Sequence, residues 1–194
     1  MAALLEIAGR IDRPAILIEA ETPADIAARE ALLDRVMGPA RRTKSSESLR
    51  RGYLPAEGLA FVARGGDGSI VGTVRLWDVS AGIDATGRPV PALLLGPLAV
   101  DQEAKGSGIG SALMRHAIAE ALRLGHGAIL LVGDAPYYAR FGFSTDRTGS
   151  LTMPGPFERG RFLALELFEG ALAGAVGMLT PAGRRSADGR ALAA

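Results

Sequence analysis

Residues 94–111, LLGPLAVDQEAKGSGIGS, decide the fold. An apolar run ends at Val100, and a glycine-rich loop then leads into an amphipathic segment. Glycine permits a positive φ and lets a ligand approach the peptide plane closely. The first N–H groups of the following helix lack intrahelical partners and lie at the positive end of the helix dipole. The stretch therefore predicts a phosphate or pyrophosphate site at a strand-to-helix turn.

Two well-known phosphate-binding motifs do not match this loop. A P-loop requires Gly-Lys followed by Ser or Thr, whereas Gly110 is followed by Ser111 and Ala112. The dinucleotide fingerprint GxGxxG also fails, because the sixth position counted from Gly106 is Ser111. From the residues alone, a glycine-rich turn without a ligand is a further alternative.

The segments around this stretch predict a mixed α/β sheet. The spacing of apolar residues and the capping residues indicate helices from Thr22 to Gly38, from Ser107 to Leu124 and from Pro136 to Phe141. The turn Gly65–Gly68 predicts a hairpin, and the helix from Ser107 joins two apolar strands as a crossover. The predicted strands are Ala15–Glu19, Leu59–Ala63, Ile70–Trp77, Ala92–Val100, Ala128–Val132 and Phe162–Phe168.

The remaining residues are predicted to form loops and termini around a single domain at residues 1–182. Within it, residues 1–13 form a loose arm and Ser80–Arg88 a loop. Arg41–Arg51 holds five basic residues, which favours a solvated loop or short helix over a dedicated phosphate contact. Residues 183–194 are predicted to be a disordered tail.

The composition excludes several classes of protein. The 194 residues carry a formal net charge of +1, so no global field attracts nucleic acid or an anionic membrane. Without cysteine, and with only His116 and His126, the chain lacks the usual ligands of metal and redox sites, so no metal is expected. No apolar stretch reaches the roughly 20 residues of a membrane span, which favours a cytoplasmic protein.

Two motifs resemble those of a known family. Lys105–Gly110 resembles the [Q/R]-x-x-G-x-[G/A] signature of the GNAT superfamily of N-acetyltransferases, with Lys105 standing in place of Gln or Arg. The segment VGDAPYYARFGF, residues 132–143, resembles the family's Y-x-R-F-G-F segment. With LGPLAV at residues 95–100, the resemblance is closest to a branch of uncharacterised bacterial acetyltransferases, and it extends over roughly residues 13–180.

The resemblance implies a fold and a cosubstrate. The GNAT fold is a mixed, mostly antiparallel sheet with flanking helices, whose fourth and fifth strands splay apart to hold acetyl-CoA. Gly96-Pro97 fits this expectation, because proline cannot donate to the ladder and interrupts strand pairing. The residues implied to bind the cosubstrate are Leu98, Ala99, Val100, Lys105, Gly106, Ser107, Gly108, Ile109, Gly110, Ser111, Tyr137 and Tyr138.

The resemblance also implies a mechanism in which a primary amine attacks acetyl-CoA directly within a ternary complex. The backbone N–H of Leu98 would polarise the acetyl carbonyl, and Tyr138 would be the general acid for the departing thiolate. Gly96 and Leu94 occupy positions where some members have histidine bases, which leaves Glu57, Asp78 and Asp134 as candidate bases.

Without an assigned base, an amine of low pKa is the favoured acceptor, in a small molecule or a peptide. A homodimer is compatible with the sequence. The alternative function is a non-catalytic acyl-CoA-binding or regulatory module of the same fold.

Overall fold

The structure, a computed structural model, describes residues 16–186. The predicted arm at residues 1–13 and the end of the chain from residue 187 lie outside the described residues. The helices are α1 (Ile26–Met37), α2 (Ile109–Arg123) and α3 (Ala135–Ala139). The strands are β1 (Leu17–Ala20), β2 (Ala60–Arg64), β3 (Ile70–Ile83), β4 (Pro89–Val100), β5 (Ala128–Val132), β6 (Leu151–Thr152), β7 (Phe162–Glu166) and β8 (Val176–Pro181).

The strands form one mixed sheet with the order β1-β2-β3-β4-β5-β7. Neighbours along this path are antiparallel except β4 and β5, which are joined by the crossover through α2 and run parallel. Strand β8 pairs with the far end of β3, and the short β6 pairs with β8. The predicted mixed, mostly antiparallel sheet is confirmed.

The sheet buries apolar side chains on both faces. Successive residues of a strand point to opposite sides, so Leu76 packs in the cluster that contains α2 while Trp77 packs in the cluster beneath the sheet's other face. Leu113 and Ala117 of α2 are fully buried in the first cluster, at the helical spacing that the sequence predicts. Among residues 16–186, no helix has both the length and the apolar character needed to cross a bilayer.

Strand β4 is irregular at Gly96-Pro97. Val74 pairs with Leu98 and Leu76 with Leu95, so two residues of β4 face one residue of β3. This is a β-bulge, as predicted from the glycine and proline at this position. The ladder between β4 and β5 joins only Leu93 to Ile129 and Leu94 to Leu130, so it ends just before the bulge. The two strands therefore diverge towards their carboxyl ends.

The predicted loop at Ser80–Arg88 is wrong for its first half. Strand β3 continues to Ile83, and the turn is confined to the residues that precede β4 at Pro89. The longer strand is stabilised on both edges, because residues 79–83 pair with β4 on one side and with β8 on the other. This second pairing comes from a distant segment, which local sequence patterns do not reveal.

The basic segment at residues 41–51 forms two short 3-10 helices, Pro39–Thr43 and Ser45–Leu49. Leu49 is buried in the apolar cluster around Trp77 and fixes the segment against the sheet. Arg41, Glu47 and Arg50 are buried with it. The expectation of a short helix is correct, but the expectation of solvation is wrong for these three side chains.

The ordered chain extends beyond residue 182, where the sequence predicts the domain to end. The N–H of Leu54 donates to the Arg184 carbonyl, and the N–H of Ser186 donates to the Gly52 carbonyl. Arg185 forms a bridge with Tyr53 between these two bonds. Residues 183–186 are thus held against the chain by backbone hydrogen bonds, and the rest of the predicted tail lies outside the described residues.

Candidate functional site

The backbone of β4 offers unpaired donors to the gap beside β5. The N–H of Asp101 donates to the Val71 carbonyl, which continues the β3–β4 ladder by one residue. Hydrogen-bonded pairs alternate along an antiparallel ladder, so Val74–Leu98 and Gly72–Val100 are non-hydrogen-bonded pairs. The N–H groups of Leu98 and Val100 therefore point away from β3, towards the gap that opens between β4 and β5.

The glycine loop forms a second cleft, of about 320 Å³, at the amino end of α2. Gly106 and Gly108 have φ of 81° and 88°, a conformation that favours glycine. Gly108 is the N-cap and no side chain caps the helix, which leaves the first N–H groups of α2 to an external acceptor. The cleft lining includes Val100, Lys105, Gly106, Gly108, Ile109, Gly110, Ser111 and Tyr137, all named from sequence.

Ser107 and Ala99 lie next to this cleft without lining it. The Ser107 hydroxyl donates to the Ala104 carbonyl at 2.5 Å, so it stabilises the loop itself. Ala99 is buried between its neighbours on β4, because side chains alternate along the strand. The structure thus brings most of the predicted residues together and gives these two a supporting position.

Tyr137 and Arg140 close the cleft from α3. A Cβ built on Gly110 would lie 3.0 Å from the Tyr137 hydroxyl, so α2 and α3 approach closely where residue 110 lacks a side chain. The Arg140 guanidinium lies over the Tyr137 ring, 4.6 Å from its centroid, and also lines the cleft. Arg140 was not among the predicted site residues, although it is the arginine of the Y-x-R-F-G-F segment.

Tyr138 faces a separate cavity of about 100 Å³ at the bulge of β4. Pro97 and Leu98 line one side of this cavity, and Leu131 and Val132 of β5 line another. The Tyr138 ring packs edge-on against Phe143 at 5.9 Å between centroids. The two adjacent tyrosines therefore serve different clefts, with Tyr137 at the glycine loop and Tyr138 at the bulge.

Burial raises the pKa of Tyr138 to about 12, with a smaller contribution from neighbouring Tyr137. The ionised form is disfavoured because the partly buried phenolate would be poorly solvated. Tyr138 is consequently neutral throughout the physiological pH range and can donate a hydrogen bond.

The position of the Tyr138 ring depends on Gly133. A Cβ built on Gly133 would overlap Cε2 of Tyr138 and lie 2.9 Å from its Cδ2. Gly133→Ala must therefore move the ring, and for the acetyl transfer that the GNAT resemblance implies we expect kcat to fall by about 10- to 100-fold with little change in the Kd of CoA. Gly149→Ala, in an exposed turn where a Cβ meets no atom within 4 Å, is the matched control and should retain wild-type kcat. Equal kcat in both variants would show that the position of Tyr138 does not matter.

The candidate bases named from sequence do not line the cavity. Glu57 is exposed and lies 3.8 Å from Arg184. Asp78 lines a different pocket, near His126, and Asp134 is an exposed N-cap residue of α3. His116 packs edge-on against Phe61. In the described part of the chain, no cluster of three or more potential metal ligands is present.

Three cationic side chains line the cavity instead, and the sequence did not assign them to it. Arg41, Lys44 and Arg50 all come from the basic segment and lie opposite the bulge. The sequence signal was the density of basic residues, for which a dedicated phosphate contact was the less favoured interpretation. The segment lines the Tyr138 cavity, while the glycine loop lines the other cleft.

Comparisons with known proteins find relatives that share this fold. Residues 56–145, which extend from before β2 to just after α3, match the model of a family described as "Acetyltransferase (GNAT) domain". Over these residues the chain is similar to GNAT acetyltransferase domains. The matched region holds β4, the glycine loop, α2 and both tyrosines, whereas Arg41, Lys44 and Arg50 of the cavity lining precede it.

Relatives extend the likeness over most of the chain. The uncharacterised N-acetyltransferase YhbS of Escherichia coli K12 is 28% identical over 165 residues, covering 84% of this chain and 95% of the relative. Its crystal structure in complex with CoA has a TM-score of 0.72 and covers 87% of this chain and 91% of that one. A GNAT acetyltransferase of Brucella melitensis in complex with acetyl-CoA is 25% identical, with a TM-score of 0.53 and coverage of 78% and 88%. The GNAT fold expected from the motifs is confirmed.

Proposed function

We propose that this protein transfers the acetyl group of acetyl-CoA to a primary amine. The observation that carries the proposal is the bulge of β4. It directs the unpaired N–H of Leu98 towards the gap beside β5, which Tyr138 also lines. Two relatives of similar fold were crystallised with CoA or acetyl-CoA, which supports the same cosubstrate here.

The cosubstrate would bind along the two clefts. The N–H groups at the amino end of α2 would hold the pyrophosphate, helped by the charges of Lys105 and Arg140. The pantetheine amides would pair with the free backbone edge of β4 at Leu98 and Val100. This arrangement brings the thioester to the cavity at the bulge, next to Tyr138.

The Leu98 N–H would stabilise the negative charge that develops on the acetyl oxygen when the amine attacks. A fixed backbone donor of this kind lowers the barrier by about 3 kcal/mol. The collapse of the tetrahedral intermediate forms the amide and releases CoA as a thiolate.

Tyr138 would stabilise the departing thiolate. With its pKa near 12, full transfer of the phenol proton to a thiolate of pKa ~8.5 is uphill by about 5 kcal/mol. Tyr138 therefore acts mainly by donating a hydrogen bond, and the proton that neutralises the thiolate comes from the attacking amine.

The acceptor would be an amine that is largely neutral at pH 7. Among the described residues, no carboxylate lines the cavity to accept the amine's proton. Nearby positive charges lower the pKa of a bound amine, because they disfavour its protonated form. Lys44 and Arg50 thus support the preference for a low-pKa amine.

The proposed function is tested by measuring thiol release from acetyl-CoA in the presence and absence of amines, with the acetylated amine quantified by mass spectrometry. We expect amine-dependent thiol release with equal amounts of thiol and acetylamine. Tight CoA binding without release by any amine would favour the alternative, a non-catalytic CoA-binding module.

The pH profile provides a further prediction. Because burial raises the pKa of Tyr138 to about 12, its phenol stays protonated across the range in which most acceptor amines lose their protons. We expect kcat to rise with deprotonation of the amine and to show no decline due to Tyr138 up to about pH 10. A descending limb at lower pH that is present in the wild type and absent in Tyr138→Phe would contradict the assigned pKa.

A further inference from the structure

The wall of the Tyr138 cavity that faces the bulge is cationic. Arg41, Lys44 and Arg50 line it together with Tyr138, and none of the described acidic residues does. Arg41 is neutralised by Asp34, which accepts from its Nε at 3.0 Å, and by Glu30, which accepts from its Nη2. Arg50 pairs with one carboxylate, that of Glu47, through its Nη2, so its Nη1 side and Lys44 are the positive groups that can interact with an occupant of the cavity.

Arg50 is buried, at 6% exposure, yet its hydrogen bonds are incomplete. Its Nη2 donates to the Ser46 hydroxyl at 3.2 Å and lies 3.5 Å from a Glu47 carboxylate oxygen. Its Nε is buried and makes no hydrogen bond within residues 16–186. Its Nη1 lies 3.5 Å from the position that a Cβ would take on Gly96, at the bulge itself.

A buried guanidinium with unused donors is costly unless a partner satisfies them. Burial lowers the pKa of Arg50 to about 10, so the side chain is still charged at neutral pH. Its planar fork matches the two oxygens of a carboxylate or phosphate. The Lys44 side chain is exposed and contributes a second positive charge to the lining.

We propose that the acceptor amine carries an anionic oxygen group, a carboxylate or a phosphate, which the guanidinium of Arg50 binds. The amine would then face Leu98 and Tyr138 at the other side of the same cavity. This inference rests on the acetyltransferase function proposed above and specifies its substrate class. A purely cationic acceptor such as a polyamine would be disfavoured by the same charges.

The inference is tested by calorimetric titration of the CoA-loaded protein with matched compounds that differ only in charge. The pair is 4-aminobenzoate with 4-aminobenzamide, and 4-aminophenyl phosphate distinguishes phosphate from carboxylate. We expect an anionic compound to bind at least about 10-fold more tightly than its neutral partner, and to be acetylated with a correspondingly higher kcat/KM.

Arg50→Gln should remove this preference while changing the Kd of CoA little, because the contacts proposed for the pyrophosphate and the pantetheine involve the glycine loop and the edge of β4, and Arg50 does not line the glycine-loop cleft. Arg50→Lys, which keeps the charge and loses the fork, should retain part of it and serves if the Gln variant is unstable. Arg51→Gln is the matched control, because the Arg51 side chain is 63% exposed and outside the cavity lining.

Each outcome decides the proposal. Equal binding of the anionic and neutral partners, binding of neither, or a preference that persists in folded Arg50→Gln would each overturn the assignment of Arg50. These titrations begin with the CoA complex. A wild-type protein that does not bind CoA would therefore contradict the proposed function itself.

Discussion

The Gly108→Glu variant is expected to lose CoA affinity by about 100-fold or more while keeping its fold. Gly108 is the N-cap of α2, with φ of 88°, and a Cβ there meets no atom within 4 Å. The new carboxylate would therefore fit sterically, but it would place a negative charge where the pyrophosphate is expected. A like charge at the amino end of the helix competes with the ligand for the same N–H groups.

The control for this variant is Gly87→Glu. Gly87 has φ of 82°, no atom within 4 Å of a built Cβ, and a position in the turn before β4, outside the lining of the glycine-loop cleft. Both variants share the backbone strain and the added charge, so a difference between them reports on the site. Calorimetry with CoA measures the affinity, and thermal unfolding measures the stability of each variant. Unchanged CoA affinity in folded Gly108→Glu would remove the glycine loop from the binding site.

The second large effect is expected for Tyr138→Phe, which should lower kcat by roughly 100-fold with little change in the KM of acetyl-CoA. The substitution removes the hydroxyl and keeps the ring that packs against Phe143. A hydrogen bond to the departing thiolate forms only as the C–S bond breaks, so its loss lowers kcat and leaves ground-state binding intact.

Tyr137→Phe provides the comparison, since the Tyr137 side chain lines the glycine-loop cleft instead. We expect this variant to retain kcat within a few-fold of the wild type. Single-turnover measurements isolate the chemical step from product release. A Tyr138→Phe enzyme with wild-type single-turnover rates would show that water or another group stabilises the thiolate.

The sequence predicts the part of the site that depends on local backbone chemistry. Positive φ at Gly106 and Gly108 and the break at Gly96-Pro97 follow from what glycine and proline permit. The apolar spacing along α2 likewise identifies the side that faces the sheet. These features are encoded within a few neighbouring residues, so they can be predicted without knowing the fold.

The cationic wall of the cavity could not be predicted in this way. Arg41 and Arg50 are buried because Leu49 fixes their segment against Trp77 and because distant carboxylates such as Glu30 neutralise part of the charge. These contacts join residues that are far apart in sequence or belong to different elements. Charge density alone indicated solvent exposure, because an isolated basic segment is most stable when solvated.

The same limit applies to the second half of β3 and to residues 183–186. Residues 79–83 are held in the sheet by β8, which follows them by about 100 residues. Arg184 and Ser186 bond to the backbone near Tyr53. The segments that pair with them are short and lack a clear alternation of apolar and polar residues, so their extended conformation depends on the pairing itself.

The most direct test of this account is a crystal structure of the protein with CoA. We predict that the pyrophosphate contacts the N–H groups at residues 108–111 and that the pantetheine amides pair with Leu98 and Val100. The sulfur should lie in the cavity beside Tyr138. CoA bound outside the gap between β4 and β5, or a sulfur remote from both the Leu98 N–H and the Tyr138 hydroxyl, would contradict the proposed mechanism.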